Sequence, residues 1–355
     1  MNGSRRALLG ASAATVLCRG ALAAEPLRVA FVYISPISDN GWSFQHDLGR
    51  RGLEAVEDAP VQTSYAENID EGPDAERVIR RFAAEGSDLI FATSLGYLVP
   101  VLKIAQQFPK VRFEYSTGAR RTANVATYSA RFYEGRYIAG LVAGRMTTSA
   151  VIGYIAPFPI MEVLQGINAF TLGARSVNPK VQVRVVWTMS WYDPDKERAM
   201  ATALIAQKAD VLTHHTDSPA VVQTGQARGV FTIGYNSDMS KFGPTTCLTS
   251  VMPIWGDYYV SRVKSVVAGT WASGDTWGGF RDGMMTLAPF SDVVPEAVQN
   301  EAEARIAQIA GGTFKPFQGP IMDQAGKAKV AANATLGDAD IMAMQWFVQG
   351  VQAKI

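Results

Sequence analysis

Polar and aromatic side chains follow the apolar runs of this sequence, at the positions where β-strands are expected to end. Trp42 and Ser43 follow the first run, "LRVAFVYI". The later positions of this kind are Ser94, Tyr97, Phe158, Trp191, Asp217, Asn236 and Asp238. A flat heteroaromatic ligand would stack on the rings, and amides or carboxylates would exchange hydrogen bonds with it. These residue types therefore indicate a site that binds a small molecule without reacting with it.

Groups that would carry catalysis, or hold a cofactor, are missing from the same positions. The segment "SDNGWS" after the first run is neither a Walker loop nor GxGxxG, and no GxSxG nucleophile elbow is present. The adjacent His214 and His215 would point to opposite faces of a strand, so they are poor joint metal ligands. We therefore expect no enzyme activity, no catalytic residue, no metal site and no cofactor.

The elements that must position these side chains alternate between β-rich runs and amphipathic helical stretches. One helix is predicted to begin with Asp193 as its N-cap and Pro194 at its first position. The series βαβαβαβ predicts a doubly wound parallel sheet, and it restarts after "YSARF", which predicts a second lobe of the same class. In such sheets ligands bind beyond the carboxyl ends of the strands. Two lobes could therefore enclose the predicted site between them.

Composition limits the other classes of function. The formal net charge of +1 does not favour nucleic-acid binding. After residue 24 the chain contains one cysteine, Cys247, so it cannot form an intramolecular disulfide, and we expect this thiol to be buried. No later segment offers about 20 uninterrupted apolar residues, so no transmembrane segment is expected.

The first 24 residues have the pattern of an export signal. Arg5 and Arg6 precede a moderately apolar run, and Ala21-Leu22-Ala23 is a cleavage signal, so we expect a mature chain that begins near residue 24 or 25 in the periplasm. The paired arginines leave the twin-arginine and the general secretory routes open. Cys18 follows the large Leu17, which argues against a lipid anchor.

Several longer motifs resemble the basic membrane protein (BMP, PnrA-like) family, the substrate-binding proteins of ABC importers. They include "DNGWSFQHDLGRRGLE", "DLIFATSLGY", "YSARFYEGRYIAGLVAGRM", "GVFTIGYNSDMS" and "DTWGGFRDGM". The resemblance implies the periplasmic-binding protein type I fold, in which two lobes joined by three crossovers close on a ligand. It places residues 25–128 and about 251–275 in one lobe, and 129–250 and about 276–355 in the other, each boundary within ten residues. It also implies a monomer that delivers its ligand to an ABC permease in the inner membrane.

The resemblance further implies roles for individual residues. Trp42 matches the ring that stacks on a purine base, Ser43 its polar neighbour, and Asn236 and Asp238 a late acidic pattern. Phe132 lies near the first crossover, as a ligand or hinge residue, and Glu134 is either a ligand contact or a first-turn acid that caps its own helix. Family members that bind nucleosides carry a lysine near the ribose, whereas Met252, Pro253 and Ile254 stand here, so we expect Met252 and Trp255 to fill the sugar space. A free purine base, with adenine favoured, is the expected ligand; a purine nucleoside and a sensor that presents its closed form to a signalling partner remain alternatives.

Overall fold

A computed structural model describes residues 25–56, 59–118 and 120–353. The expected export signal, with Cys18 and the paired arginines, lies outside these described residues. Across the described ranges, no helix combines the length and the apolar character needed to cross a membrane.

The first sheet has six parallel strands, in the order β11-β5-β4-β3-β1-β2. These strands are β1 (Leu27–Val32), β2 (Val61–Ala66), β3 (Leu89–Ala92), β4 (Arg112–Ser116), β5 (Val125–Ala130) and β11 (Asp275–Gly278). Helices cover both faces of this sheet, namely α1 (Gly41–Leu53), α2 (Pro73–Ala84), α3 (Leu98–Gln107) and α8 (Gly256–Val267). Helices α2 and α3 pack together on one face, and α1 and α8 pack together on the other.

The second sheet has seven strands, in the order β12-β10-β9-β8-β6-β7-β15, and only β12 pairs antiparallel to its neighbour. Its strands are β6 (Val151–Ala156), β7 (Gln182–Trp187), β8 (Val211–His214), β9 (Phe231–Tyr235), β10 (Cys247–Pro253), β12 (Met285–Leu287) and β15 (Val351–Gln352). The helices of this lobe are α4 (Phe132–Met146), α5 (Met161–Val177), α6 (Pro194–Ala206), α7 (Ala220–Arg228) and α9 (Glu296–Gly311). Asp193 caps α6 by accepting a hydrogen bond from the Lys196 amide at 3.1 Å, with Pro194 at the first helical position, so this prediction is confirmed. Cys247 is buried, as expected.

The chain passes between the two sheets three times, from β5 to β6, from β10 to β11 and from β11 to β12. The predicted fold class, two doubly wound α/β lobes with three crossovers, is confirmed. At the crossing strands, the Arg131 amide donates to the Gly278 carbonyl at 2.7 Å, and the Arg131 guanidinium lies 4.3 Å above the Trp277 ring. The expected residue boundaries between the two lobes, at which the lobes would move relative to each other, stay a prediction.

The final forty or so residues add small elements for which the sequence offered no clear pattern. They form β13 (Ile321–Met322), β14 (Ala328–Val330) and α10 (Asp338–Met342) before β15 joins the second sheet beside β7. Asn168 on α5 holds this segment, because its amide nitrogen donates to the Trp346 carbonyl at 2.7 Å and its oxygen accepts from the Val348 amide at 2.9 Å. The segment therefore completes the second lobe.

Candidate functional site

A cavity of about 400 Å³ lies between the lobes, at the carboxyl ends of strands from both sheets. A volume of this size is typical of a small-molecule site. Half of the residues predicted from sequence line it, namely Trp42, Ser94, Phe158, Trp191, Asp217 and Asn236. The structure thus brings these six together from both lobes, whereas ligand contact by any of them stays a prediction.

Aromatic rings form two walls of the cavity, one from each lobe. Trp42, in the first turn of α1, is fixed by its indole nitrogen, which donates to the Thr93 carbonyl at 2.6 Å. On the second lobe, Trp191 and Phe158 contact each other with ring centres 5.3 Å apart and planes at 62°. Because the two walls belong to different lobes, a flat ligand that touches both would favour the closed arrangement.

Asp217 connects the lobes directly. Its carboxylate accepts from the backbone amide of Trp42 at 2.6 Å and from the side-chain amide of Asn236 at 3.0 Å. The residue at the N-cap of α1, Asn40, makes no side-chain cap, so Asp217 satisfies a free amide of this helix from the opposite lobe. Burial raises the pKa of Asp217 to about 6, although its two hydrogen bonds oppose this shift.

Gly41 permits this close approach. Its backbone has φ of +89°, which L-residues rarely adopt, and a Cβ placed there would lie 2.7 Å from a carboxylate oxygen of Asp217. The Gly41 amide donates to the Ser237 hydroxyl at 2.9 Å, a second bond from α1 to the opposite lobe. In the loop before α1, Asp39 forms an ion pair with Lys241 of the opposite lobe, 2.5 Å between Oδ2 and Nζ.

A polar corner of the cavity contains Glu162, His215 and Tyr235. Glu162 stands in the first turn of α5, with its Oε1 3.5 Å from Nε2 of His215. The same His215 nitrogen lies 3.0 Å from the Tyr235 hydroxyl. The pKa of His215 falls well below its usual value, first through burial and then through the nearby Arg136 guanidinium, so this imidazole is neutral.

Three of the other predicted residues are buried close to the cavity rather than lining it. Ser43 turns its hydroxyl to that of Ser35, at 2.7 Å. Phe132 is buried behind Trp42, with ring centres 6.2 Å apart. Trp255 is 1% exposed and packs edge-on against Trp42 at 5.8 Å, so it supports the wall and does not fill a sugar space. Met252, expected beside it, is likewise absent from the cavity lining.

The remaining three serve other local structures. Tyr97 points into the core of the first lobe, where its hydroxyl donates to the Ile69 carbonyl at 2.6 Å. Glu134 accepts from the Phe280 amide at 2.9 Å and lines a separate cavity beside the crossovers. Asp238 is exposed and accepts from the Ser240 amide at 2.9 Å, capping a short turn.

Sequence reasoning missed several residues that line the cavity, among them Ser35, Asn68, Asp70, Glu162, Met189, Tyr192 and Tyr235. Tyr235 ends strand β9 directly before Asn236, so the strand-end rule could have found it. Glu162 lies beyond the loop that follows β6, inside the next helix, where a first-turn acid usually serves the helix itself. From the sequence, His215 was considered as a poor metal ligand beside His214 and not as part of the site.

The charges of the cavity restrict its ligand. Asp70, Glu162 and Asp217 contribute carboxyl groups, and no arginine or lysine is among the described residues that line it. The described part of the chain also has no group of three or more His, Cys, Asp or Glu residues placed to hold a metal. Such a lining accepts hydrogen bonds from a neutral or cationic ligand and repels a phosphate.

The fold and the cleft define a class, the periplasmic-binding proteins of type I. A solved ABC transporter solute-binding protein from Conexibacter woesei superposes with a TM-score of 0.67 at 25% identity, over 81% of this chain and 98% of its own. The family model described as Bmp, ABC transporter substrate-binding protein PnrA-like, matches residues 27–312. The chain belongs to this family, whose members are extracytoplasmic ligand-binding partners of ABC permeases rather than enzymes.

Two relatives carry names that state a ligand. A purine-binding protein from Brucella abortus is 45% identical over 94% of this chain and 95% of its own length. A Haloferax volcanii protein described as an ABC transporter glucose-binding protein is 36% identical over 93% of this chain and 82% of its own.

Proposed function

We propose that this protein binds a purine base, with adenine favoured, between its two lobes and delivers it to an ABC permease. The observation that carries the proposal is the pair of aromatic walls, Trp42 on one lobe and Trp191 with Phe158 on the other. A purine would stack between them, and its N–H groups would donate to the carboxyl groups of the lining. The 45% identical purine-binding relative supports the same ligand class.

The base is preferred to the nucleoside because the ribose-binding lysine of the resembled family is missing and no other cation is among the described residues that line the cavity. A purine nucleoside receptor remains the first alternative. The 36% identical relative favours a second alternative, a sugar such as glucose, which would also stack on tryptophan. A sensor that presents its closed form to a signalling partner would use the same cavity and would differ only in its partner.

In this proposal the mature protein begins near residue 24 or 25 and acts as a periplasmic monomer without a cofactor. Ligand binding closes the lobes, and the permease recognises the closed form. No step of this cycle requires a catalytic group.

The test is a calorimetric titration of ligand-free protein with adenine, hypoxanthine, guanine, adenosine and glucose, for wild type and Trp42→Ala. Trp42→Ala removes the ring on which the base would stack, and this loss is expected to weaken binding by about 1–3 kcal/mol, or about 5- to 150-fold. Trp346→Ala is the matched control, because Trp346 lies on the C-terminal segment and does not line the cavity. Glucose binding without purine binding would contradict the proposal, as would equal affinity of Trp42→Ala and wild type.

A further inference from the structure

We propose that Glu162, as a protonated carboxylic acid, selects adenine by pairing with a ring nitrogen of the base and with the amino group beside it. This inference rests on the proposed purine function and names the residue that would distinguish adenine from guanine. It concerns a side chain that neither the sequence motifs nor the family resemblance singled out.

The position of Glu162 allows direct contact with a ligand. Its side chain is 25% exposed and lines the cavity, while the residues beneath it are buried. It projects from the first turn of α5, a fixed helix, rather than from a mobile loop. An acid at this position therefore presents its carboxyl group to the cavity with little conformational freedom.

The neighbours of Glu162 provide no direct cationic partner. His215 is neutral, since burial and the nearby Arg136 lower its pKa. Its ring nitrogens lie 3.3 Å from the Tyr154 hydroxyl and 3.0 Å from the Tyr235 hydroxyl. The corner is therefore closely packed by side chains that carry no charge of their own.

The nearest buried cation is Arg136, and it is separated from the cavity by rings. Its guanidinium lies 4.0 Å above the Tyr235 ring and 5.5 Å from the Tyr154 ring, and it donates to the Thr213 hydroxyl at 3.3 Å. Arg136 acts to lower the pKa of Glu162, but burial outweighs it and raises this pKa to about 7. Near neutral pH, Glu162 is thus divided between the acid and the carboxylate.

The two protonation states would recognise different purine edges. A carboxylic acid donates its O–H to a ring nitrogen and accepts from a neighbouring amino group with its other oxygen. Adenine offers this arrangement on its Watson–Crick edge, where the acceptor N1 lies beside the N6 amino group, whereas the same edge of guanine presents N1–H and N2–H. A carboxylate can only accept, so it suits guanine, where two N–H donors lie side by side. Protonated Glu162 therefore selects for adenine and ionised Glu162 against it.

Other groups near the site also titrate, so the pH dependence must be assigned by substitution. Four elements face Glu162: α4 through Arg136, β6 through Tyr154, the end of β8 through His215, and β9 through Tyr235. Asp217, whose pKa burial raises to about 6, also lines the cavity and joins the lobes. Replacing Glu162 by glutamine keeps one donor and one acceptor but removes the titration.

The experiment is a titration with adenine and with guanine at about pH 5.5, 7 and 8.5. Wild type is expected to bind adenine about 30-fold more weakly at the highest pH than at the lowest, because each unit above the pKa removes tenfold of the acid. Guanine is expected to show the opposite trend. Glu162→Gln should remove the slope for adenine, and Glu303→Gln, the same change at an exposed position of α9, should retain it.

The wild-type profile alone tests the inference if the glutamine variant does not fold. An adenine affinity that is independent of pH in wild type would overturn it, as would a glutamine variant with the wild-type slope. In either case purine binding itself would persist and the proposed function would stand. Absence of purine binding at every pH would instead overturn the proposed function and the inference together.

Discussion

The contact of Asp217 with α1 predicts that one carboxylate controls closure of the lobes. Asp217→Ala removes the acceptor of the Trp42 amide, at 2.6 Å, and of the Asn236 side-chain amide, at 3.0 Å. Both donors lie at the interface between the lobes, so in the closed state they would be left without this partner. The open state, in which the lobes are apart and water reaches both donors, is expected to change little.

The size of the effect follows from these contacts. A hydrogen bond to a charged group contributes about 1.5–3 kcal/mol, and an anion at a helix N-terminus adds about 0.3–1 kcal/mol. Burial offsets part of this gain, since it raises the pKa of Asp217 to about 6. We therefore expect the closed state to lose about 2 kcal/mol, which corresponds to ligand binding about 30-fold weaker.

Calorimetry with adenine measures this loss, and small-angle X-ray scattering at saturating ligand reports whether the lobes close. Asp238→Ala is the matched control, because Asp238 lies close by but caps only a local turn. We expect this control to bind within about threefold of wild type. The reasoning would be refuted if Asp217→Ala bound adenine as tightly as wild type, or if both variants lost affinity equally.

Three further predictions follow from the geometry. Gly41→Ala should weaken adenine binding about tenfold or more, because Gly41 has φ of +89° and a Cβ there would clash with Asp217. The control Gly229→Ala, at φ of +64° with open space around it, should lower only the free energy of unfolding, by about 1 kcal/mol. Titration measures the first effect and thermal unfolding the second. Burial raises the pKa of Glu197 from 4.5 to about 7 in the folded protein, so the folded state holds this proton more tightly than the unfolded chain. The resulting contribution to the free energy of unfolding is complete below pH 4.5 and is lost as the pH rises through 7. Urea unfolding at a series of pH values between these limits should show the free energy of unfolding of Glu197→Gln rising relative to wild type by up to about 3 kcal/mol. Parallel pH dependences of the two proteins would contradict this. Adenosine monophosphate should bind at least about 100-fold more weakly than adenosine in the same calorimeter, because the carboxyl groups of the lining would repel its phosphate; comparable affinity of the two would disprove the electrostatic argument.

The strand-end rule accounts for what the sequence could predict of the site. Alternating apolar runs and helices predicted both sheets, and the carboxyl ends of their strands placed Trp42, Trp191 and Asp217 near one another in a single cleft. Side-chain direction is what this rule lacks. Tyr97 follows a strand as Trp42 does, but its ring turns back into the core of the first lobe to reach the Ile69 carbonyl.

Contacts between distant segments could not be predicted from local pattern. The Asp217 carboxylate caps a helix whose first turn lies 175 residues earlier in the chain, and no periodicity records that pairing. Glu162 resembles an ordinary first-turn acid until the second lobe surrounds it with His215 and Tyr235. The C-terminal segment after α9 was missed for a related reason, since its short strands are stabilised by α5 rather than by their own sequence.

The central claim is that the cavity between Trp42 and Trp191 receives a purine base. The most direct measurement is a calorimetric titration of adenine into mature protein that has been unfolded, freed of carried-over ligand and refolded. The account predicts one saturable site per chain, with affinity tighter for adenine than for adenosine. Equal or tighter binding of adenosine would contradict the base preference, and no heat from any purine would contradict the claim itself.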